Sequence, residues 1–404
     1  MGRRIKPLAL VIFFVSGAAG LIYEVVWSRM LTLVFGSTVY ATSTVLTAFM
    51  GGLALGSFLL GRRADRLSRP LLLYAALEVG IGAFALLFPG ILRLLTSIYV
   101  TIHRSVGFSF YVISLIRFIL AFLVLLIPTT LMGATLPAIS RGVVKRMEDL
   151  GWDVGGLYSL NTFGAVIGTL GAGFALMKLL GIPWTIALAA LLNFAVAGLA
   201  VYLQRKTTDE PGEREGIPPH SSPLTTNPYR ALALWITAIS GFCALAYEVF
   251  WTRILVFFLG STTYAFTTML SAFLLGIAVG SFIFAKLSDR WTRHLLALGV
   301  VQMLIGLFAM LLLPLFGEIY SIGALFRRPN WFNFIMGRFF PAFVMMFPPT
   351  FLMGATFPLV VKLFVAGISR VSRDVGSVYA ANTLGSIFGS FVAGFIIIPL
   401  IGIQ

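Results

Sequence analysis

SGAAGLIYEVVWSR, residues 16–29, returns as SGFCALAYEVFWTR, residues 240–253, an offset of 224. The offset carries more than this motif. Gly36-Ser37-Thr38 matches Gly260-Ser261-Thr262, Tyr40 matches Tyr264, and Gly52, Gly56, Asp65 and Arg66 match Gly276, Gly280, Asp289 and Arg290. Further along the offset becomes 221. There Arg117 pairs with Arg338, LMGATLP (131–137) with LMGATFP (352–358), and DVGGLYSLNTFGAVIG (153–168) with DVGSVYAANTLGSIFG (374–389). Self-similarity at about half the chain length marks an internal duplication, one structural unit used twice.

That unit is hydrophobic. The chain is 59% hydrophobic and only 11% charged, with a mean hydropathy of +0.99, whereas a soluble domain carries about 25% charge. Apolar runs of about 20 residues recur, the length a helix needs to cross hydrocarbon. The reading is an all-α, polytopic membrane protein. Its net charge of +15 sits in short loops between pairs of apolar runs, so it reports topology and not a nucleic-acid footprint. The single cysteine, Cys243, allows neither a disulfide framework nor a thiolate metal site, and no cofactor motif is present. Arg3, Arg4 and Lys6 precede the first apolar run as they would in a signal peptide. That run has a repeat partner deep in the chain, which makes it a retained span.

The predicted spans are 8–35, 38–60, 71–89, 111–137, 154–179 and 183–203 in the first repeat (residues 1–203), and 231–258, 262–286, 295–314, 334–358 and 375–399 in the second (residues 230–404). The first span is long enough to be tilted or locally broken, with Gly17 and Gly20 as its weak points; Pro128 marks a kink in the fourth, and residues 90–109 form an outer connection. Residues 204–229, polar and rich in Pro and Ser, read as a cytoplasmic linker. Basic loops (Arg62, Arg63, Arg66 and Arg69; Arg141, Lys145 and Arg146) recur in the second repeat, so both repeats enter from one side and the amino terminus is cytoplasmic in the plasma membrane. This gives two parallel six-helix repeats. Gly402 corresponds to Gly181, so the twelfth span is missing and the sequence reads as a fragment or as part of a split protein.

Charged groups inside spans are expensive and face an interior or a wet cavity. Each repeat places a Glu and an Arg in its first span, Glu24 with Arg29 and Glu248 with Arg253, and an Arg in its fourth, Arg117 and Arg338. Glu24 and Trp27 share a helix face, as do Glu248 and Trp251, with Tyr23 and Tyr247 adjacent. Arg29 points away from Glu24 and needs a partner on another span. Two readings stand: a structural ion-pair network, or a cavity for a small polar substrate. Glu78 is replaced by Gln302 in the second repeat, so of the two only Glu78 can handle a proton, the plainer alternative being an interhelical hydrogen bond. Asn161 and Asn382 stand one turn past Tyr158 and Tyr379, placed to tie backbones together or to meet a ligand. Asp65-Arg66 and Asp289-Arg290 end the second spans. An acid there can accept bonds from a neighbouring helix amino end and hold the halves in one arrangement, while the arginines anchor to membrane lipids.

GRRADRLSR (61–69), repeated imperfectly as AKLSDRWTR (285–293), resembles the loop between spans two and three of major facilitator transporters. SGAAGLIYEVVWSRML, VFGSTVYATSTVLTAFMGGLALGS and GGLYSLNTFGAVIGTLGAGF resemble the integral membrane region of membrane-fused spermidine-synthase-like proteins. The second resemblance implies a soluble aminopropyltransferase domain after the membrane region, and no residue of this sequence corresponds to it. Together they imply a facilitator-like transporter, or a transport-derived module, linked to polyamine or S-adenosyl compound metabolism. The alternative is a non-catalytic membrane anchor for a cytoplasmic spermidine-synthase-like domain, fused or supplied by another chain.

Overall fold

Backbone N–H and C=O groups in hydrocarbon must be paired within their own segment, so each long apolar run becomes a helix. A computed structural model of the chain describes residues 5–35, 39–105, 110–208, 229–259, 263–318, 321–322, 324–326 and 330–401. Within those helices some side chains, including those of Arg117 and Arg338, lie outside the description.

The first repeat comprises α1 (Ile5–Phe35), α2 (Val39–Ala64), α3 (Pro70–Ser105), α4 (Phe110–Val143), α5 (Leu150–Leu170) and α6 (Gly181–Thr208). The second comprises α7 (Arg230–Leu259), α8 (Thr263–Arg290), α9 (His294–Leu311), α10 (Trp331–Phe364) and α11 (Val371–Phe391). Among the described residues nine helices are long and apolar enough to cross a membrane. The other two long helices, α2 and α11, pack on each other, where a helix face meets protein instead of lipid. Exposed Leu87, Leu94, Trp184, Trp235 and Met303 supply part of the apolar outer surface.

The repeats share one internal plan. α1 packs on α5, α2 on α4 and α3 on α4, and the corresponding pairs α7–α11, α8–α10 and α9–α10 recur. Between the halves, the second helix of each repeat meets the fifth of the other: α2 packs on α11 and α5 on α8. Such reciprocal contact, i with j and j with i, is the pattern of a two-fold axis. An axis along the membrane normal follows from the parallel orientation of the repeats.

Several local expectations are corrected. α1 is continuous through Gly17 and Gly20; Gly17 serves close approach instead, since a Cβ there would overlap the Asn161 carbonyl oxygen on α5. α3 continues as helix well past Pro89, to Ser105, where a connection was expected. α4 runs as one helix from Phe110 to Val143 with Pro128 and Pro137 inside it, which leaves the expected kink at Pro128 neither supported nor opposed. The linker begins later than read, because α6 stays helical through Thr208; residues 209–228 lie outside the described residues. Both fifth helices continue into a π turn, Gly171–Leu176 and Val392–Ile397, a repeat-matched feature that periodicity did not reveal. The missing twelfth span is an expectation on which the described residues, ending at Ile401, have no bearing.

The Gly17 crossing recurs at Gly241, whose added Cβ would overlap the Asn382 carbonyl oxygen. The two asparagines fasten the same crossings, Asn161 Nδ2 donating to Phe13 O at 3.0 Å and Asn382 Nδ2 to Thr237 O at 3.4 Å. Gly17→Ala and Gly241→Ala are each expected to cost about 1–3 kcal/mol, the usual penalty of overpacking. Thermal melting of the purified variants checks this, and unchanged melting of both would contradict the close crossing.

Candidate functional site

A cavity of about 230 Å³ lies between the two halves, lined from α1, α2, α4 and α5 and by their counterparts α7, α8, α10 and α11. Its polar lining comes in repeat-related pairs: Ser16 with Ser240, Glu24 with Glu248, Thr135 with Thr356, Tyr158 with Tyr379, and Asn161 with Asn382. The cavity therefore lies across the axis that relates the halves, and each half contributes these five polar groups. Asn193 of α6 breaks this symmetry, as do Thr237, which stands where the first half has Phe13, and Ser386, which stands where it has Ala165.

Glu24 and Glu248 are 5% and 4% exposed, and what they face is the cavity. Among the described residues neither forms an ion pair. Neither Arg29 nor Arg253 pairs with them, while the expected contacts to Arg117 and Arg338 fall on side chains outside the described residues. Arg29 is exposed on another face of α1, since five residues on a helix turn a side chain well away from Glu24. Arg253 is half-buried, and its Nε has no hydrogen-bond partner.

The aromatic neighbours do other work. Tyr23 stacks on Trp27 at 5.1 Å between ring centroids, and Trp27 stacks on Phe88 at 4.7 Å. In the second half Tyr247 stacks on Trp251 at 5.5 Å, and Trp251 meets Phe273 edge-on. These rings fix α1 and α7 against their neighbours, and none of the four residues lines the cavity. One shell behind the lining, Glu78 accepts from Ser16 Oγ at 2.6 Å and from Asn193 Nδ2, while Asn193 Oδ1 accepts from Tyr23 Oη at 2.8 Å. Gln302, at the matching position, donates to Ser240 Oγ at 3.3 Å and Thr356 Oγ1 at 3.0 Å.

A second constellation closes the arginine-rich end. Asp65, just past α2, accepts from the backbone N–H of Ser372 (3.0 Å) and Arg373 (2.8 Å) at the start of α11, and Arg141 Nε stands 3.9 Å away. Asp289, at the end of α8, accepts from Gly151 N (3.0 Å) and Trp152 N (2.8 Å) at the start of α5 and pairs with Lys362. Unpaired N–H groups and the positive dipole end make a helix start a natural partner for a carboxylate. The cations tie in further: Arg141 Nη1 donates to Ile368 O at 3.2 Å, and Lys362 Nζ to Met147 O at 3.3 Å. Beside them Lys6 pairs with Asp153 at 2.8 Å and Arg230 with Asp374 at 2.9 Å. Burial pushes the Asp65 carboxyl above the usual carboxylate range, opposed by the two amides and Arg141. Arg66 and Arg290 remain exposed and join neither cluster.

The sequence reading missed Ser16, Thr135, Asn193 and the cations Lys6, Arg141, Arg230 and Lys362. All but Asn193 carried a signal, since each has a chemically similar residue at the repeat offset. Asn193 has no counterpart among the residues present.

A family model described as the Major Facilitator Superfamily matches residues 8–389. Similar solved structures include a major facilitator transporter, FucP, in the outward conformation (14% identity, 98% of this chain and 91% of that chain, TM-score 0.57). A bacterial homologue of the iron transporter ferroportin in an outward-facing state matches at 15% identity, over 98% and 92% of the two chains, with TM-score 0.57. The nucleoside transporter NupG matches at 15%, over 99% and 93%, with TM-score 0.53. At these identities the likeness is one of fold. No curated protein matches the sequence.

Proposed function

Because the chain belongs to the Major Facilitator Superfamily, we propose that it is a facilitator-like transporter carrying a small cationic solute through the cavity between Glu24 and Glu248. The observation that carries this reading is the pair of buried carboxyl groups facing one cavity with no described cation against them. A site with one carboxyl group from each half suits a solute with two like ammonium ends lying across the axis. Polyamines have that form, and the resemblance to spermidine-synthase-like membrane regions points to the same class, with S-adenosyl compounds as the second candidate. Transport requires the cavity to open to each side in turn. The Asp65 and Asp289 clusters hold the arginine-rich end together, and by the positive-inside rule that end is cytoplasmic, with the protein in the plasma membrane. The solute then enters from outside, and release into the cell requires both clusters to part.

Uptake of labelled putrescine, spermidine and S-adenosylmethionine into vesicles reconstituted with the purified protein tests this. Saturable uptake of putrescine or spermidine above that of protein-free vesicles is expected. Uptake of none of the three would overturn the assignment of substrate class.

A further inference from the structure

Glu78 of α3 is fully buried, and among the described residues no cation pairs with it. The groups facing it are Ser16 and Tyr23 of α1, Asn193 of α6 and, on its own helix, Tyr74. An ionised carboxylate in hydrocarbon needs a cation or water beside it, and this one has neutral hydrogen-bonding groups instead. Two of those groups, Ser16 and Asn193, also line the central cavity, as does Ile81 one helical turn along α3. The carboxyl is therefore one hydrogen bond away from whatever water the cavity holds.

The second half shows what the position needs if packing is its whole role. There Gln302 reaches Ser240, the repeat partner of Ser16, and Thr356. An amide of nearly the same shape keeps the contact with the serine of the first helix without an ionisable group, its second partner being Thr356 of α10 where Glu78 has Asn193 of α6. The first half retains a carboxyl where structure alone is served by an amide. We propose that Glu78 is a proton-binding site that exchanges with the central cavity through the Ser16 hydroxyl, with Asn193 positioning the carboxyl, and that Gln302 leaves the second half without its equivalent. A hydronium ion in cavity water gives its proton to the Ser16 oxygen as the Ser16 O–H proton passes to a Glu78 carboxylate oxygen, so that one O–H bond breaks for each that forms and neutral water is left; the reverse transfer empties the site.

Infrared difference spectroscopy of the purified protein across a pH titration, with no solute present, tests the site independently of the proposed substrate. The wild type is expected to show a protonated-carboxyl C=O stretch that titrates and shifts in heavy water, and that is absent from Glu78→Gln. A spectrum unchanged by Glu78→Gln, or a Glu78 band that heavy water does not shift, would overturn the proposal. Should Glu78→Gln yield no folded protein, Glu78→Asp keeps the carboxyl and must move the band; an unmoved band overturns the proposal equally.

Discussion

Replacing Asp65 and Asp289 together by alanine is expected to open the arginine-rich end of the protein. Each carboxylate accepts two backbone N–H bonds from the opposite half and stands beside one cation of its own half. Hydrogen bonds to charged groups contribute about 1.5–3 kcal/mol each, so losing one cluster costs the closed arrangement at least about 2 kcal/mol by the same scale. The two clusters join different helix pairs and share no partner, so their losses should add. A combined shift of about 4 kcal/mol corresponds to a change of nearly a thousandfold in the ratio of closed to open forms. Ser240→Cys, in a background with Cys243 replaced by serine, places a thiol on the cavity wall. An impermeant thiol reagent applied at the arginine-rich side should label it slowly in the parent and rapidly in the double alanine variant. Equal rates would show that these carboxylates do not hold the end shut.

Glu24→Gln and Glu248→Gln are expected to weaken putrescine binding by similar factors, because the two positions are related by the repeat and face one cavity. Truncating one member of a buried charge pair costs about 2–5 kcal/mol, which is at least about thirtyfold in affinity. Folding should survive. Breaking a buried ion pair costs about 3–5 kcal/mol because it strands a charge, but no described cation pairs with either glutamate. Equilibrium dialysis with labelled putrescine and thermal melting, run on the same preparations, read the two effects separately. Unchanged binding in both variants would remove the carboxyl groups from the site, and a large loss of melting temperature would restore the structural ion-pair reading.

The duplication was readable because the residues that set helix crossings are small and cannot vary freely. Gly52, Gly56, Gly276 and Gly280 each meet a backbone or threonine atom where a Cβ would overlap, so the motif and the packing are the same fact. The pairing of Asp65 and Asp289 with helix starts was also within reach, since an acid at a span end has few other partners in a membrane protein. That Arg29 turns away from Glu24 was readable from the five-residue spacing, but its exposure was harder. Depth along a helix places residues at one level, but the rotation that exposes Arg29 while burying Glu24 and Trp27 depends on which neighbours α1 meets. Asn193 was invisible for a related reason: nothing in the sequence of α6 says that it reaches Tyr23 and Glu78 on two other helices. The continuation of α3 past Pro89 shows the limit of proline as a stop signal inside an apolar run.

Alternation of two repeat-related halves about the cavity is tested most directly by the distance between spin labels at Ser68→Cys and Thr292→Cys, with Cys243 replaced by serine. These exposed, repeat-equivalent positions lie at the arginine-rich end, one in each half. A single short distance is expected in the solute-free protein, with a longer component appearing when putrescine is added and dominating when Asp65 and Asp289 are replaced by alanine. One unchanging distance under all three conditions would contradict the account.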